Sequence, residues 1–219
     1  MSAAPELPVG FLGVQPKFEE LGLSALSHIE PEIRTNDNQI EIKLKCKEPL
    51  KVTHQLINCR TGDEVSQFVF TQTLHGTISF IISLPESGYY KFLLFALPQN
   101  DDSKSLPNVY NYLINCVRAL HPVFPFPKQY AQWKDGCYLH EPLVLHKDAS
   151  LRNVFFKVII PGAKAVAIVA DGEWIHLEKK GNHFEGHANL EPFKGKKVTM
   201  NANTGADESK YATMLEYVI

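Results

Sequence analysis

From residue 39 onward the chain breaks into short β-rich runs, each bounded by turn residues and none with the length or period of an amphipathic helix. Residues 39–46 (QIEIKLKC) alternate strictly, so Ile40, Ile42 and Leu44 share one face while Glu41, Lys43 and Lys45 share the other. That is the period of an antiparallel strand buried on one side. Residues 51–59, 65–73, 76–84, 86–96 and 109–117 continue the pattern, separated by turn chemistry such as Arg60-Thr61-Gly62-Asp63 and the polar loop 99–104 (QNDDSK). Short strands at such regular spacing restrict a chain to a β-sandwich or a barrel.

Residues 86–96 (ESGYYKFLLFA) narrow the choice. In immunoglobulin-type sandwiches a tyrosine stands two residues before the second core cysteine, early in the penultimate strand, and its hydroxyl ties the preceding corner to the backbone. Tyr90 holds the tyrosine place here and Phe92 the cysteine place. Aromatic residues at the start of any strand would read similarly. The position of this run, penultimate in its series, agrees with the sandwich.

Residues 118–127 (RALHPVFPFP) carry three prolines, too stiff for a helix and too poor in N–H donors for an inner strand. Val123, Phe124 and Phe126 are expected to pack at the junction that this linker makes. Strand runs then resume at 153–160, 163–170, 173–178, 182–188, 196–203 and 211–219, with Pro161-Gly162, Asp171-Gly172 and Lys180-Gly181 as turn pairs. A weak repeat supports the division: Pro16-Lys17 and Glu30-Pro31 recur 111 residues later as Pro127-Lys128 and Glu141-Pro142, and VYNYLI (109–114) aligns with MLEYVI (214–219), setting Tyr112 against Tyr217. The reading is all-β, two tandem immunoglobulin-like β-sandwiches: an irregular leader at 1–10, a first sandwich at 11–118, a proline-rich linker at 119–127 and a second sandwich at 128–219. Within the first sandwich, residues 11–33 mix Gly, Pro and hydrophobics without a period and are expected to be extended, with one helical turn.

Charge and cysteine usage bound the function. Twenty-two Lys and Arg against 24 Asp and Glu give a net charge of −2, which offers no long-range attraction to nucleic acid. No apolar stretch reaches the roughly 20 residues needed to span a bilayer, so no membrane insertion is expected. The four cysteines, Cys46, Cys59, Cys116 and Cys137, form no C-x-x-C pair, which fits a reducing cytoplasm without native disulfides. None stands at a helix N-terminus, where a thiolate is favoured, and buried or half-buried thiols are the favoured reading over a nucleophile.

Other side chains have a functional and a plain structural reading. His176, His183 and His187, with Glu185, could converge on a metal, since 183, 185 and 187 share a strand face; a solvated polar face is favoured, with Phe184 and Gly186 turned inward. Tyr130, Trp133 and Tyr138, joined by Trp174, could form an aromatic platform for a sugar or a proline-rich peptide; packing is favoured. Lys194, Lys196 and Lys197, opposed by Glu191, are too slight a cluster for nucleic acid. No catalytic, cofactor-binding or metal-ligating residue is assigned, and no cofactor is expected.

PKFEELGLSALSH (16–28), QIEIKLKC and SGYYKFLLFA resemble the region downstream of the transglutaminase-like core in the kyphoscoliosis peptidase and hillarin family. FPKQYAQW, CYLHEPL, VFFKVIIPGAKAVAIV, HFEGHANL and MLEYVI are similar, in the same order, to that family's last domain. The resemblance runs from about residue 11 to residue 219 and departs at PKFEELGL, where Glu19 stands in place of a second aromatic and weakens the docking expected of that segment. It implies immunoglobulin-like modules and a protein partner of the cytoskeleton. The family's Cys-His-Asp catalytic set belongs to the upstream core, so no catalytic residue carries over. The expected function is that of a non-catalytic, cytoplasmic, cytoskeleton-associated interaction or scaffold module. The alternatives are part of a transglutaminase-like cysteine peptidase whose catalytic domain lies outside this chain, and a carbohydrate-binding module.

Overall fold

Alternation, β-branched residues and turn pairs translate into strands close to where the sequence places them. A computed structural model describes residues 3–219, and the chain divides into two compact units between Val123 and Phe124. The leader expected at 1–10 lies in part, at Met1 and Ser2, outside the described residues, and residues 3–8 form no regular element.

The first unit contains β1 (Gly13–Val14), the helical turn α1 (Lys17–Glu20), β2 (Ser24–Ala25), β3 (Glu32–Thr35), β4 (Gln39–Lys45), β5 (Leu50–Asn58), β6 (Val69–Leu74), β7 (Thr77–Ser83), β8 (Gly88–Pro98) and β9 (Asn108–Cys116). One sheet runs β2-β4-β7-β6 and the other β1-β9-β8-β5. β3 joins the second sheet in parallel along Leu113–Cys116, so β1 and β3 share one edge of β9. Ile42, Ile78, Phe80 and Ile82 from one sheet meet Leu56, Tyr90, Phe92, Leu94 and Tyr112 from the other in a fully buried core. Phe80 stands edge-on to Phe92 at 5.5 Å. The lead-in segment docks in spite of Glu19: Phe18 of α1 is buried, its ring 5.3 Å from Tyr110, while Glu19 faces solvent.

One strand expectation needs correcting here. The run at 65–73 begins as a 3-10 turn at Ser66–Phe68, and the ladder starts only at Val69. The cause is local: Val65 N–H donates to the Leu56 carbonyl (2.7 Å) and the Ser66 hydroxyl accepts from Leu56 N–H (3.1 Å), which holds this segment on β5. Beyond β9 the backbone is held as well. Wholly buried Asn38 donates to the carbonyls of Leu84 (3.0 Å) and His121 (2.8 Å), and accepts from His121 N–H (3.0 Å).

The second unit contains β10 (Lys128–Gln129), β11 (Tyr138–Glu141), β12 (Val154–Ile159), β13 (Ala165–Ala170), β14 (Glu173–His176), β15 (Glu178–Lys180), β16 (His183–Ala188), β17 (Lys197–Asn203) and β18 (Ala212–Val218). Its sheets run β10-β18-β17-β13-β14 and β11-β12-β16-β15. Phe156 of one meets Tyr217 of the other edge-on at 6.2 Å, amid buried Val158, Ile168, Met200 and Leu215. Asp171 and Gly172 both take positive φ (49° and 79°), the primed-turn geometry that suits a tight hairpin.

The single strand expected at 173–178 is two. Leu177 is buried and its N–H donates to the Val166 carbonyl (2.9 Å), and there the chain leaves one sheet for the other, β14 pairing with β13 and β15 with β16. Of the apolar residues in the proline-rich stretch, Phe126 is buried and Phe124 lies parallel to the His146 ring, centroids 3.7 Å apart.

Candidate functional site

The corner around Tyr90 is structural. The Tyr90 hydroxyl donates to the Glu86 carbonyl (2.8 Å) and accepts from Glu86 N–H (3.1 Å), closing the turn that leads into β8. Burial pushes its pKa up to about 12. Phe92 occupies the place of a core cysteine and is wholly buried.

All four cysteines are free thiols. Cys46, Cys116 and Cys137 are buried, and burial pushes the pKa of Cys59, Cys116 and Cys137 upward. A thiol raised above its ordinary value holds its proton at neutral pH and is a poor nucleophile. Cys137 lines a cavity of about 150 Å³ with Lys134, Asp135, Ile160, Pro161 and Met214. That volume is below the range of typical ligand pockets, about 300–1,000 Å³.

The histidines divide between the two sheets of the second unit. His183 Nε2 lies 3.3 Å from one Glu185 oxygen, and Lys180 Nζ lies 2.8 Å from the other. That lysine is the main cause of the lowered Glu185 pKa. His187 packs against Phe155 at 4.9 Å, and His176 lies on β14 in the opposite sheet. Among the described residues no three His, Cys, Asp or Glu side chains are grouped to hold a metal ion.

The aromatic residues are also regrouped. Trp133 is buried at 9 % exposure, the Tyr130 hydroxyl donates to Glu216 (3.0 Å), and Tyr138 of β11 packs against His140 (4.8 Å). They do not form a platform with Trp174. That residue instead stands 49 % exposed on β14, edge-on to Tyr211 at 4.9 Å and close to parallel with His176 at 6.2 Å. Tyr211 was not legible as a partner, since it sits in the loop before β18, while β18 lies three places from β14 in the sheet order. The small basic turn is neutralised: Lys194 pairs with Glu191 (3.1 Å), Lys196 with Asp171 (2.6 Å) and Lys197 with Glu216 (3.9 Å). No described helix is long and apolar enough to cross a membrane.

The family comparison agrees with an immunoglobulin-like first unit. A family model described as "KY-like, immunoglobulin-like domain" matches residues 5–127. The kyphoscoliosis peptidases of Mus musculus and Homo sapiens are each 23% identical to this chain over 204 residues, which is 92% of this chain and 30% of theirs. The chain therefore spans about a third of the length of the curated relatives it matches. Among solved structures, a chimeric titin Z1Z2 functionalised with an exogenous peptide from decorin aligns over 90% of this chain and 95% of its own, at 11% identity and a TM-score of 0.27.

Proposed function

The chain belongs to the KY-like immunoglobulin-like domain family, and from that premise we propose that it is a non-catalytic protein-interaction or scaffold module of the cytoskeleton, working in the cytoplasm. The carrying observation is the family match itself, which falls on an immunoglobulin-like model across the first unit. Burial that keeps the thiols protonated supports the non-catalytic part. Sandwiches of this kind meet partners through exposed strand edges and sheet faces, where backbone groups supply affinity and side chains supply selection. Immobilised intact chain, incubated with a cytoskeletal extract, is expected to retain a specific protein that competes off with free chain. Retention of nothing beyond what a bare matrix holds would refute the proposal.

A second reading is favoured by the match to a 30% share of the peptidases: the same fold serves as a substrate-positioning part of a transglutaminase-like cysteine peptidase. It places the chemistry on residues outside this sequence. This chain alone is then expected to leave casein uncut and to react with iodoacetamide more slowly than free cysteine does. Cleavage that is abolished by one Cys→Ala change in this chain would contradict both readings.

A further inference from the structure

We propose that the open edge of β14, with the ring cluster Trp174, His176 and Tyr211, is the docking ledge for a basic, extended peptide segment of a protein partner. This rests on the interaction reading above and specifies its surface and its ligand chemistry.

Backbone geometry comes first. β14 is the last strand of its sheet and, among the described residues, pairs only with β13. His176 stands opposite Ala167, and Leu177 N–H donates to the Val166 carbonyl, one step beyond that pair. Directly opposed residues in an antiparallel ladder alternate between bonded and non-bonded pairs. Ile175 with Ile168 and Glu173 with Ala170 are therefore the bonded pairs. The N–H and C=O groups of Trp174 and His176 point away from the sheet. Edge strands are ordinarily blunted by short length, charged side chains, proline or a bulge. β14, read EWIH, is short and begins with Glu173, but it has no lysine, proline or bulge and its pairing register is regular.

The side chains supply the selection. Trp174 and His176 project from the same face of β14, and Tyr211 reaches to within 4.9 Å of the indole. Half of the Trp174 surface remains open, and an exposed indole face attracts a guanidinium or an ammonium. Carboxylates bracket the ledge: Glu173 begins β14, Glu178 follows the crossing at Leu177, and Glu208 stands in the loop before Tyr211, all three exposed. Of the basic groups nearby, Lys196 is engaged by Asp171 at 2.6 Å, Lys180 by Glu185 at 2.8 Å and Lys210 by Asp207 at 4.0 Å, while Lys179 lies over the Phe184 ring of the other sheet. The charge left over at the ledge is negative. A strand carrying Arg or Lys would add backbone bonds at Trp174 and His176, seat a cation on the indole and meet the flanking carboxylates.

The test uses intact chain and three fluorescein-labelled, end-blocked nonapeptides that alternate Val with Arg, Gln or Glu, followed by anisotropy. The Arg peptide is expected to bind at least tenfold tighter than the Glu peptide and to weaken as salt rises. Trp174→Ala is expected to cost at least tenfold. Glu173→Lys with Glu208→Lys should erase the Arg preference while leaving the circular dichroism spectrum and Tm unchanged. Methylation of alternate peptide amides should abolish binding.

Absence of binding, equal binding of the three peptides, full binding by the methylated peptide, or indifference to both sets of substitutions would each overturn the proposal. So would self-association in sedimentation velocity that Trp174→Ala removes, since a second copy would then be the occupant. A Trp174→Ala chain that still captures the cytoskeletal partner would sink the ledge and leave the interaction reading standing. Capture by neither chain would count against that reading itself.

Discussion

The two units share a two-sheet plan but differ at the strand paired with the penultimate one, β5 beside β8 in the first and β13 beside β17 in the second. In the first, the outer edge of β5 is covered at its C-terminal end, Leu56 to Asn58, by the chain that follows it: Leu56 N–H donates to the Ser66 hydroxyl (3.1 Å), Asn58 N–H to the Asp63 carbonyl (2.9 Å), and Val65 N–H to the Leu56 carbonyl (2.7 Å). In the second, the chain adds a short strand, β14, and then crosses to the other sheet at Leu177. The first arrangement closes the end of an edge and the second opens a new one.

The tyrosine ties differ in the same way. Tyr90 fixes the turn before β8, and β17, its counterpart in the second unit, has no tyrosine. That unit ties a connection through Tyr217 of β18, whose hydroxyl donates to the Pro142 carbonyl (2.7 Å). Tyr112, aligned with Tyr217 in the repeat, is equally buried, and among the described residues its hydroxyl has no hydrogen-bond partner. Burial raises the pKa of both phenols. Each sandwich thus ties a connection through a buried tyrosine on one of its last two strands, the penultimate strand in the first unit and the last in the second.

The largest expected effect is at the centre of the first core. Phe92→Ala should cost about 3–5 kcal/mol in chemical denaturation, and a loss well under about 1 kcal/mol would remove Phe92 from the role given to it. The tyrosines come next. Tyr217→Phe forfeits a hydrogen bond and should cost about 1–2 kcal/mol, whereas Tyr112→Phe removes an unpartnered buried hydroxyl and should be neutral or stabilising. Equal losses from both would erase the contrast between the units.

A smaller effect concerns acid. Burial lowers the pKa of His54 on β5, where Thr71 Oγ1 lies 3.0 Å from Nδ1 and the Phe92 ring is 6.2 Å away. A histidine held neutral in the fold contributes stability that is fully present above its unfolded pKa, about 6.5, and is lost as pH falls below that value toward the lower folded one. Urea midpoints should therefore fall from about pH 7.5 to about pH 5.5, and His54→Gln should flatten that slope. An unchanged slope would place the titration elsewhere.

Much of this architecture is legible in the letters. Alternation in QIEIKLKC and the Asp171-Gly172 pair fix strands and turns locally, and the spacing of Tyr90 and Phe92 gives the corner. What is hidden depends on partners far along the chain. Ile175 and Leu177 continue one alternating pattern, so no residue type marks the change of sheet between them. Tyr112 and Tyr217 read alike because the acceptor that separates them, Pro142, lies 75 residues from Tyr217. The aromatic cluster is hidden for the same reason: Tyr211 reaches Trp174 from a loop 37 residues on.

Amide hydrogen exchange of the intact chain tests the difference between the two edges most directly. The amides of Leu56 and Asn58 should be protected along with that of Ile175, while those of Trp174 and His176 should exchange near the unstructured rate. Protection of Trp174 and His176 equal to that of Ile175 would contradict an open edge in the second unit and remove the surface on which the proposed contact depends.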